Sequence, residues 1–289
     1  MSNPGEDNLG PEERYLLDRY GDNVVGLLKY GSMAFGQPHS RSVHDFWVIV
    51  KDLHTFHKAN EEFYRQGLNH ASTVEEQVEA NRFAPNFYSF EEAGILIKAA
   101  VISESDFARL CRSKMMFVKG RMQKPIRVIR STPKIDAAIA AARREGARHA
   151  MNLCRKRFTM DEFLYQLCSL SYRAEIRPER KHAKIQSIMS GGGERFRDIY
   201  RTLLPEIPHV RQQEDGYEDT RSPAEKAEAR KKTLGYIRRC KWSTDTLRLI
   251  WRNYRTHGAP IKYIWDKLAG EVEKGLHRRR TRQAKSRAR

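Results

Sequence analysis

Residues 24–50 read VVGLLKYGSMAFGQPHSRSVHDFWVIV. Two apolar runs, Val24–Tyr30 and Phe46–Val50, have the composition of buried strands and predict two strands of one sheet. Gly31-Ser32 leaves the first run, and Asp45 opens the second. A Gly-Ser turn after a buried strand lets backbone N–H groups approach a phosphate closely, and the hydroxyl adds a donor. A carboxylate on the next strand supplies a hard oxygen for magnesium beside that phosphate. Sites of this kind usually carry two acids spaced Asp-x-Asp, but here position 47 is Trp47. On these residues alone, a phosphate site and an ordinary hairpin are equal readings.

The composition narrows the partner. A chain of 289 residues can form one large domain or two modest ones. With 39% apolar residues, 12 Phe, 12 Tyr and 4 Trp, general disorder is excluded. Lys and Arg number 54 against 36 Asp and Glu, a net charge of +18. Such an excess calls for a polyanion, whether nucleic acid, nucleotide or an anionic membrane surface. Cys111, Cys154, Cys168 and Cys240 form no Cys-x-x-Cys pair, which predicts reduced intracellular thiols and neither disulfides nor a zinc site. The opening MSNPGEDNLGPEER reads as neither a secretory signal nor an Arg-rich transit peptide. No apolar run approaches a membrane span. The expectation is a cytosolic protein, or one lying on a membrane without crossing it.

Along the chain, PEERYLLDRY (11–20) predicts a short amphipathic helix starting at Pro11. Apolar runs predict further strands at Ile95–Ser103 and Ile126–Arg130, and LHTFHKANEEFYRQG (53–67) has helical spacing. The first half is therefore mixed α/β, with strands covered by helices. From Lys134 to Arg157 an Ala- and Arg-rich helical stretch follows, and Thr159 with Glu162 makes a capping-box pattern before FLYQLCSLSY. Residues 205–230 are polar and Pro-bearing and predict a long exposed loop; 231–276 return to helical patterns, and RRRTRQAKSRAR ends the chain as a basic tail.

Two further stretches carry charge in suggestive places. GRMQKP (120–125) puts Arg121 and Lys124 in a turn before a strand, where cations reach phosphates without being buried. In SLSYRAEIRPE (169–179), Glu175 stands between Arg173 and Arg177; it is a local ion pair, or the missing second carboxylate.

Taken in order, YGS-x-x-F-x-Q (30–37), DFWVIV (45–50), His57-x-x-Asn60, NHAS (69–72), IKAAVIS (97–103), GRMQKPIRVI (120–129), SLSYRAEIR (169–177) and ERFRDIY (194–200) resemble the mitochondrial translocator assembly and maintenance family. Its members are CTP:phosphatidate cytidylyltransferases, peripheral on the membrane. The resemblance covers roughly residues 20–205. It implies a nucleotidyltransferase-type α/β domain (1–132), a helical, winged-helix-like domain completing the active site (133–259), and an amphipathic helix with a basic tail (260–289). It also implies a Mg2+-dependent reaction: CTP and phosphatidic acid give CDP-diacylglycerol and pyrophosphate. Four departures stand out: Glu175 where the family has Asp, Ala174 where it has Gly, Ala71 where it has Tyr, and extra residues between Asn60 and His70.

On that reading Asp45 and Glu175 hold Mg2+, and Tyr30, Gly31 and Ser32 cradle the triphosphate. Arg121 and Lys124 neutralise phosphate charge, and His57 and Asn60 face the nucleotide or lipid phosphate from one side of a helix. His70, Ser72, Tyr172 and Arg177 contact substrate by resemblance. Lys98, inside an apolar run, points into the site or outward from a one-sided strand. PIKYIWDKLAGEVEKGL (260–276) puts apolar residues on one face ahead of the polybasic tail, a pattern that lies on an anionic bilayer. The missing presequence leans towards a bacterial cytoplasm and the inner face of the cell membrane over a mitochondrial matrix. The rivals are an RNA-directed nucleotidyltransferase, which would require Asp-x-Asp on the second strand, and a catalytically inactive basic binding protein.

Overall fold

The apolar runs around the Gly-Ser turn pair as expected. Strands β1 (Val24–Tyr30) and β2 (His44–Val50) run antiparallel, with Tyr30 opposite Asp45. The computed structural model describes residues 9–31, 34, 43–62, 73–81, 85–92, 95–174 and 181–244. Within these, β3 (Asn86–Glu92), β4 (Ile95–Ser103) and β5 (Arg127–Arg130) complete a five-stranded sheet in the order β3-β4-β2-β1-β5. β2 and β4 are parallel, and the other neighbours are antiparallel.

Side chains alternate across the sheet, so β1, β2 and β4 each feed two cores. Leu27, Phe46, Val48, Val50, Ile97, Ala99 and Val101 pack on one face with Leu16 of α1 (Pro11–Tyr20) and Phe56 of α2 (Leu53–Lys58). A further short helix, α3 (Val74–Asn81), packs beside α2. Leu28, Trp47, Ile49, Ala100 and Ile102 pack on the other face, against α4 (Glu104–Arg112), α5 (Met116–Met122) and the first half of α6 (Pro133–Leu153). Lys29 on β1 is buried because Glu12 and Glu13 of α1 meet its ammonium, and Glu13 also receives Arg127 from β5. The pairing lets a charged residue sit inside an apolar strand and ties α1 to the sheet.

α6 serves both halves. Its Ile135, Ala138, Ile139 and Ala142 belong to the sheet's core, while Ala147, Ala150, Met151 and Leu153 join a helical core. That second core contains α7 (Met160–Ala174), α8 (Lys181–Leu203) and α9 (Pro223–Lys241). Alanine at half of these positions lets neighbours approach α6 from two sides. A small sheet of β6 (Arg157–Phe158), β7 (Val210–Gln213) and β8 (Gly216–Asp219) closes this half in the order β6-β8-β7.

Three expectations need correction. The helix expected over 53–67 is broken after Lys58 by a turn at 59–60, residues 61–62 are helical again, and 63–72 lie outside the described residues. Only half of the capping box forms: Glu162 N donates to Thr159 Oγ1, but the Glu162 carboxylate accepts from Arg155 N instead of Thr159 N. The stretch 205–230 is not a long loop. It holds a hairpin turning at Glu214-Asp215 before Gly216, and Ser222 then caps α9 in a complete capping box with Glu225. Its polarity misleads because the charges pair internally. Asp219 is fully buried and takes hydrogen bonds from Arg221 and Lys226, which hold its carboxyl at about 2 against the cost of burial.

All four cysteines are free and buried, and burial pushes the Cys111 thiol up to about 12 and the Cys168 thiol to about 11. They are packing residues at neutral pH.

Between α6 and α9, His149 stacks on Tyr236 with ring centroids 4.0 Å apart and shares a hydrogen bond with Thr233 Oγ1 at 3.0 Å. Burial outweighs the neighbouring Glu145 and pushes its pKa down to about 4. A folded-state value below the ordinary one near 6.5 means that the unfolded chain takes up the proton first. The stability tied to a neutral His149 is therefore complete above about pH 6.5 and is lost as the pH falls towards 4. Urea unfolding should show a loss of up to roughly 3 kcal/mol across that window, and His149→Gln should flatten it. Parallel pH profiles of the two proteins would exclude this account.

Candidate active site

Gly31 leaves β1 with φ +82°, a conformation that glycine adopts readily. A Cβ placed there would lie 3.0 Å from Asp45 Oδ2. The turn thus lies beside the Asp45 carboxylate, and a side chain at residue 31 would crowd it. Asp45 points to the same face as Trp47 and Ile49, the face covered by α4, α5 and α6. Its register partners are Tyr30 on β1 and Lys98 on β4, so Lys98 comes to the same row and is exposed. The open question over Lys98 is settled by register: two residues from buried Ala100 and four from Ile102, it shares their face, at its open end.

Trp47 holds no acid's place. Its ring is fully buried and lies 6.2 Å from Tyr30 and 6.3 Å from Phe117. Arg121 rests on that aromatic rack, with Cζ 3.7 Å from the Phe117 ring centroid and 5.8 Å from that of Tyr30, and Nη1 donates to Phe117 O. A guanidinium stacked in this way is held in place while its outer N–H groups stay usable.

The rest of GRMQKP is a mounting. Gly120 faces Ser171 of α7 so closely that a Cβ would come within 2.7 Å of the Ser171 Cβ. Gln123 donates to Ala142 O, its side chain fills the space against Gly146, and its carbonyl accepts from Tyr200 Oη at 2.7 Å. Pro125 packs near Gly192 of α8. Gln123 and Pro125 are buried while Arg121 and Lys124 are half-buried. Lys124 Nζ sits 5.1 Å from the ring of buried Tyr172. The structure therefore brings together Tyr30, Gly31, Asp45, Lys98 and Arg121 where β1 ends and β2 begins, and joins Lys124 to Tyr172 through the turn that follows α5.

His57 and Asn60 do not belong to this group. Both are buried: His57 Nε2 hydrogen-bonds Asn81 Oδ1 at 2.8 Å, and Asn60 accepts from Tyr20 Oη at 2.8 Å while donating to Phe56 O. α2 packs through Phe56 on the sheet face opposite Asp45. The helical spacing of the two residues marks an inward face, and their expected contact with phosphate is withdrawn. Ser32, His70, Ser72, Glu175 and Arg177 lie outside the described residues, as does the segment 260–289. Among the described residues, no group of three or more His, Cys, Asp or Glu gathers to hold a metal.

A glycine turn against a strand carboxylate, faced by lysine and stacked arginine, is the arrangement of a protein that handles phosphate anions. The chain belongs to the family described as mitochondrial phosphatidate cytidylyltransferase, whose model matches residues 14–248. Relatives bearing that name include one from Danio rerio, 25% identical over 229 residues, covering 73% of this chain and 67% of the relative. One from Caenorhabditis briggsae is 27% identical over 201 residues, covering 63% and 61%; one from Bos taurus is 25% identical over 231, covering 74% and 65%. The chain thus spans about two-thirds of the length of the curated relatives it matches. These names correct the expected location: family and relatives are mitochondrial, which points to mitochondria and away from a bacterial cytoplasm and cell membrane. That expectation rested on the first few residues, where the start of a chain is a poor guide to compartment.

Proposed function

We propose that this protein is a magnesium-dependent phosphatidate cytidylyltransferase, converting CTP and phosphatidic acid to CDP-diacylglycerol and pyrophosphate. The observation that carries the reading is the placing of the Asp45 carboxylate beside Gly31, at φ +82°, in a family bearing this name. On this proposal the sheet-bearing half is a nucleotidyltransferase-type domain and the helical half, winged-helix-like, completes the site.

An unprotonated oxygen of the phosphatidate phosphomonoester forms a bond to the α-phosphorus of CTP. The bond from that phosphorus to the oxygen bridging to the β-phosphorus breaks, and its electron pair leaves on pyrophosphate. The second pKa of a phosphomonoester is about 6, so at neutral pH the nucleophile needs no base. The obstacle is repulsion between two polyanions, so positioning and charge neutralisation are the main tasks. The Gly31 backbone and the Ser32 hydroxyl cradle the triphosphate, with Tyr30 beside them. Arg121, Lys124 and Lys98 neutralise phosphate charge, and Tyr172 steadies Lys124. His70, Ser72 and Arg177 are assigned to lipid phosphate. Asp45 offers the hard oxygen that magnesium takes in company with substrate phosphates, and Glu175, one methylene longer than aspartate, is assigned as the second acid. When bound, Mg2+ supplies neutralisation of the triphosphate charge. The segment 260–289 is assigned to peripheral contact with an anionic membrane.

Purified protein given labelled CTP and phosphatidate vesicles should form CDP-diacylglycerol with Mg2+ and none with excess EDTA. Elongation of RNA without lipid product would replace this reading with RNA-directed transfer, and neither product would leave a binding protein.

A further inference from the structure

A second cationic site lies apart from the residues assigned to the reaction. Where the α4–α5 connection meets the end of α9, a cavity of about 790 Å³ is lined by Arg112, Lys114, Arg238, Arg239 and Trp242. All four cations are exposed, and among the described residues none is paired with a carboxylate. On other parts of the surface Arg109, Arg144 and Arg197 each meet an acid. Four unneutralised cations around one hollow repel each other, so the hollow favours a multiply charged anion. Trp242 at its edge is 59% exposed, the most exposed large apolar side chain among the described residues, with Lys241 Nζ 5.8 Å from its ring. An indole left in water beside lysine and arginine has the chemistry of a bilayer interface, where its apolar ring and polar N–H are both satisfied. Inorganic phosphate would explain the cations but not the tryptophan.

We propose that this hollow takes the phosphate headgroup of a non-substrate anionic phospholipid, with Trp242 entering the bilayer interface beside it. The inference is independent of the catalytic reading, since it shares no residue with that site and concerns binding without turnover.

The test uses the full chain without CTP, and vesicles of phosphatidylcholine with or without phosphatidylglycerol, containing no phosphatidate. Arg238→Glu with Arg239→Glu should weaken sedimentation with the anionic vesicles at least about tenfold. Lys231→Glu with Lys232→Glu, an equal charge change on the exposed side of the same helix, should weaken it no more than about threefold. The Trp242 contribution, isolated as the difference spectrum against Trp242→Phe, should shift to the blue on anionic vesicles only. Equal weakening by both double variants would overturn the proposal in favour of a diffuse basic field. An unshifted Trp242, or loss of RNA binding with vesicle binding intact, would overturn it too. Product formation from detergent-dispersed phosphatidate, measured on the same variants, reports on catalysis separately.

Discussion

Asparagine at position 45 is expected to lower CDP-diacylglycerol formation by about a hundred- to a thousand-fold while leaving the protein folded. The carboxylate lies beside the Gly31 turn, and asparagine keeps its size and much of its hydrogen bonding. Phe46 and Val48, its buried neighbours on β2, face the opposite side of the sheet and are untouched. What changes is one unit of negative charge and one hard oxygen, at the point assigned to magnesium beside the triphosphate. The thermal midpoint should move by no more than a few degrees, and the Mg2+ concentration needed for half-maximal residual activity should rise. Residual activity within tenfold of the parent, at unchanged Mg2+ dependence, would remove Asp45 from the chemistry.

Much of this arrangement was legible before folding, but unevenly. β1, α1 and β4 have their expected bounds because apolar runs ended by Gly, Pro or Ser specify both type and limits. Arg121 and Lys124 were readable as cations, though only Lys124 sits in a turn and Arg121 lies on α5. Their rigidity was not, since it comes from Ser171, Gly146 and Tyr200, far along the chain. His57 and Asn60 misled because helical spacing identifies a shared face without saying whether that face looks out or in. The hairpin at 210–219 was hidden by its charge. Asp219 is buried only because Arg221 and Lys226 arrive with it, and composition carries no record of such pairing. Lys98 needed the β2–β4 register, a parallel pairing between strands some fifty residues apart, to be placed beside Asp45.

The largest effect on stability is expected away from the reaction, at the junction of α5, α6 and α9. Lys119 is 1% exposed, and its ammonium is met by Glu145 at 2.8 Å and by the Tyr236 hydroxyl at 3.0 Å. Glu145→Ala leaves that charge buried with only a neutral partner, which costs about 3 kcal/mol, the lower end of the usual range because a third of Glu145 is open to water. Lys119→Met removes the buried charge and keeps its volume, and Glu145 can turn to solvent, so the loss should stay within about 1 kcal/mol. The double variant should resemble Lys119→Met, and urea unfolding of the four proteins closes the cycle. The pair also bears on function, because Lys119 is followed directly by Gly120 and Arg121 on α5. Glu145→Ala should therefore lose product formation in step with its folded fraction, and adding Lys119→Met should restore it. If Lys119→Met is the more damaging single change, the ammonium does more than balance a charge, and a role in binding phosphate would have to be considered for it.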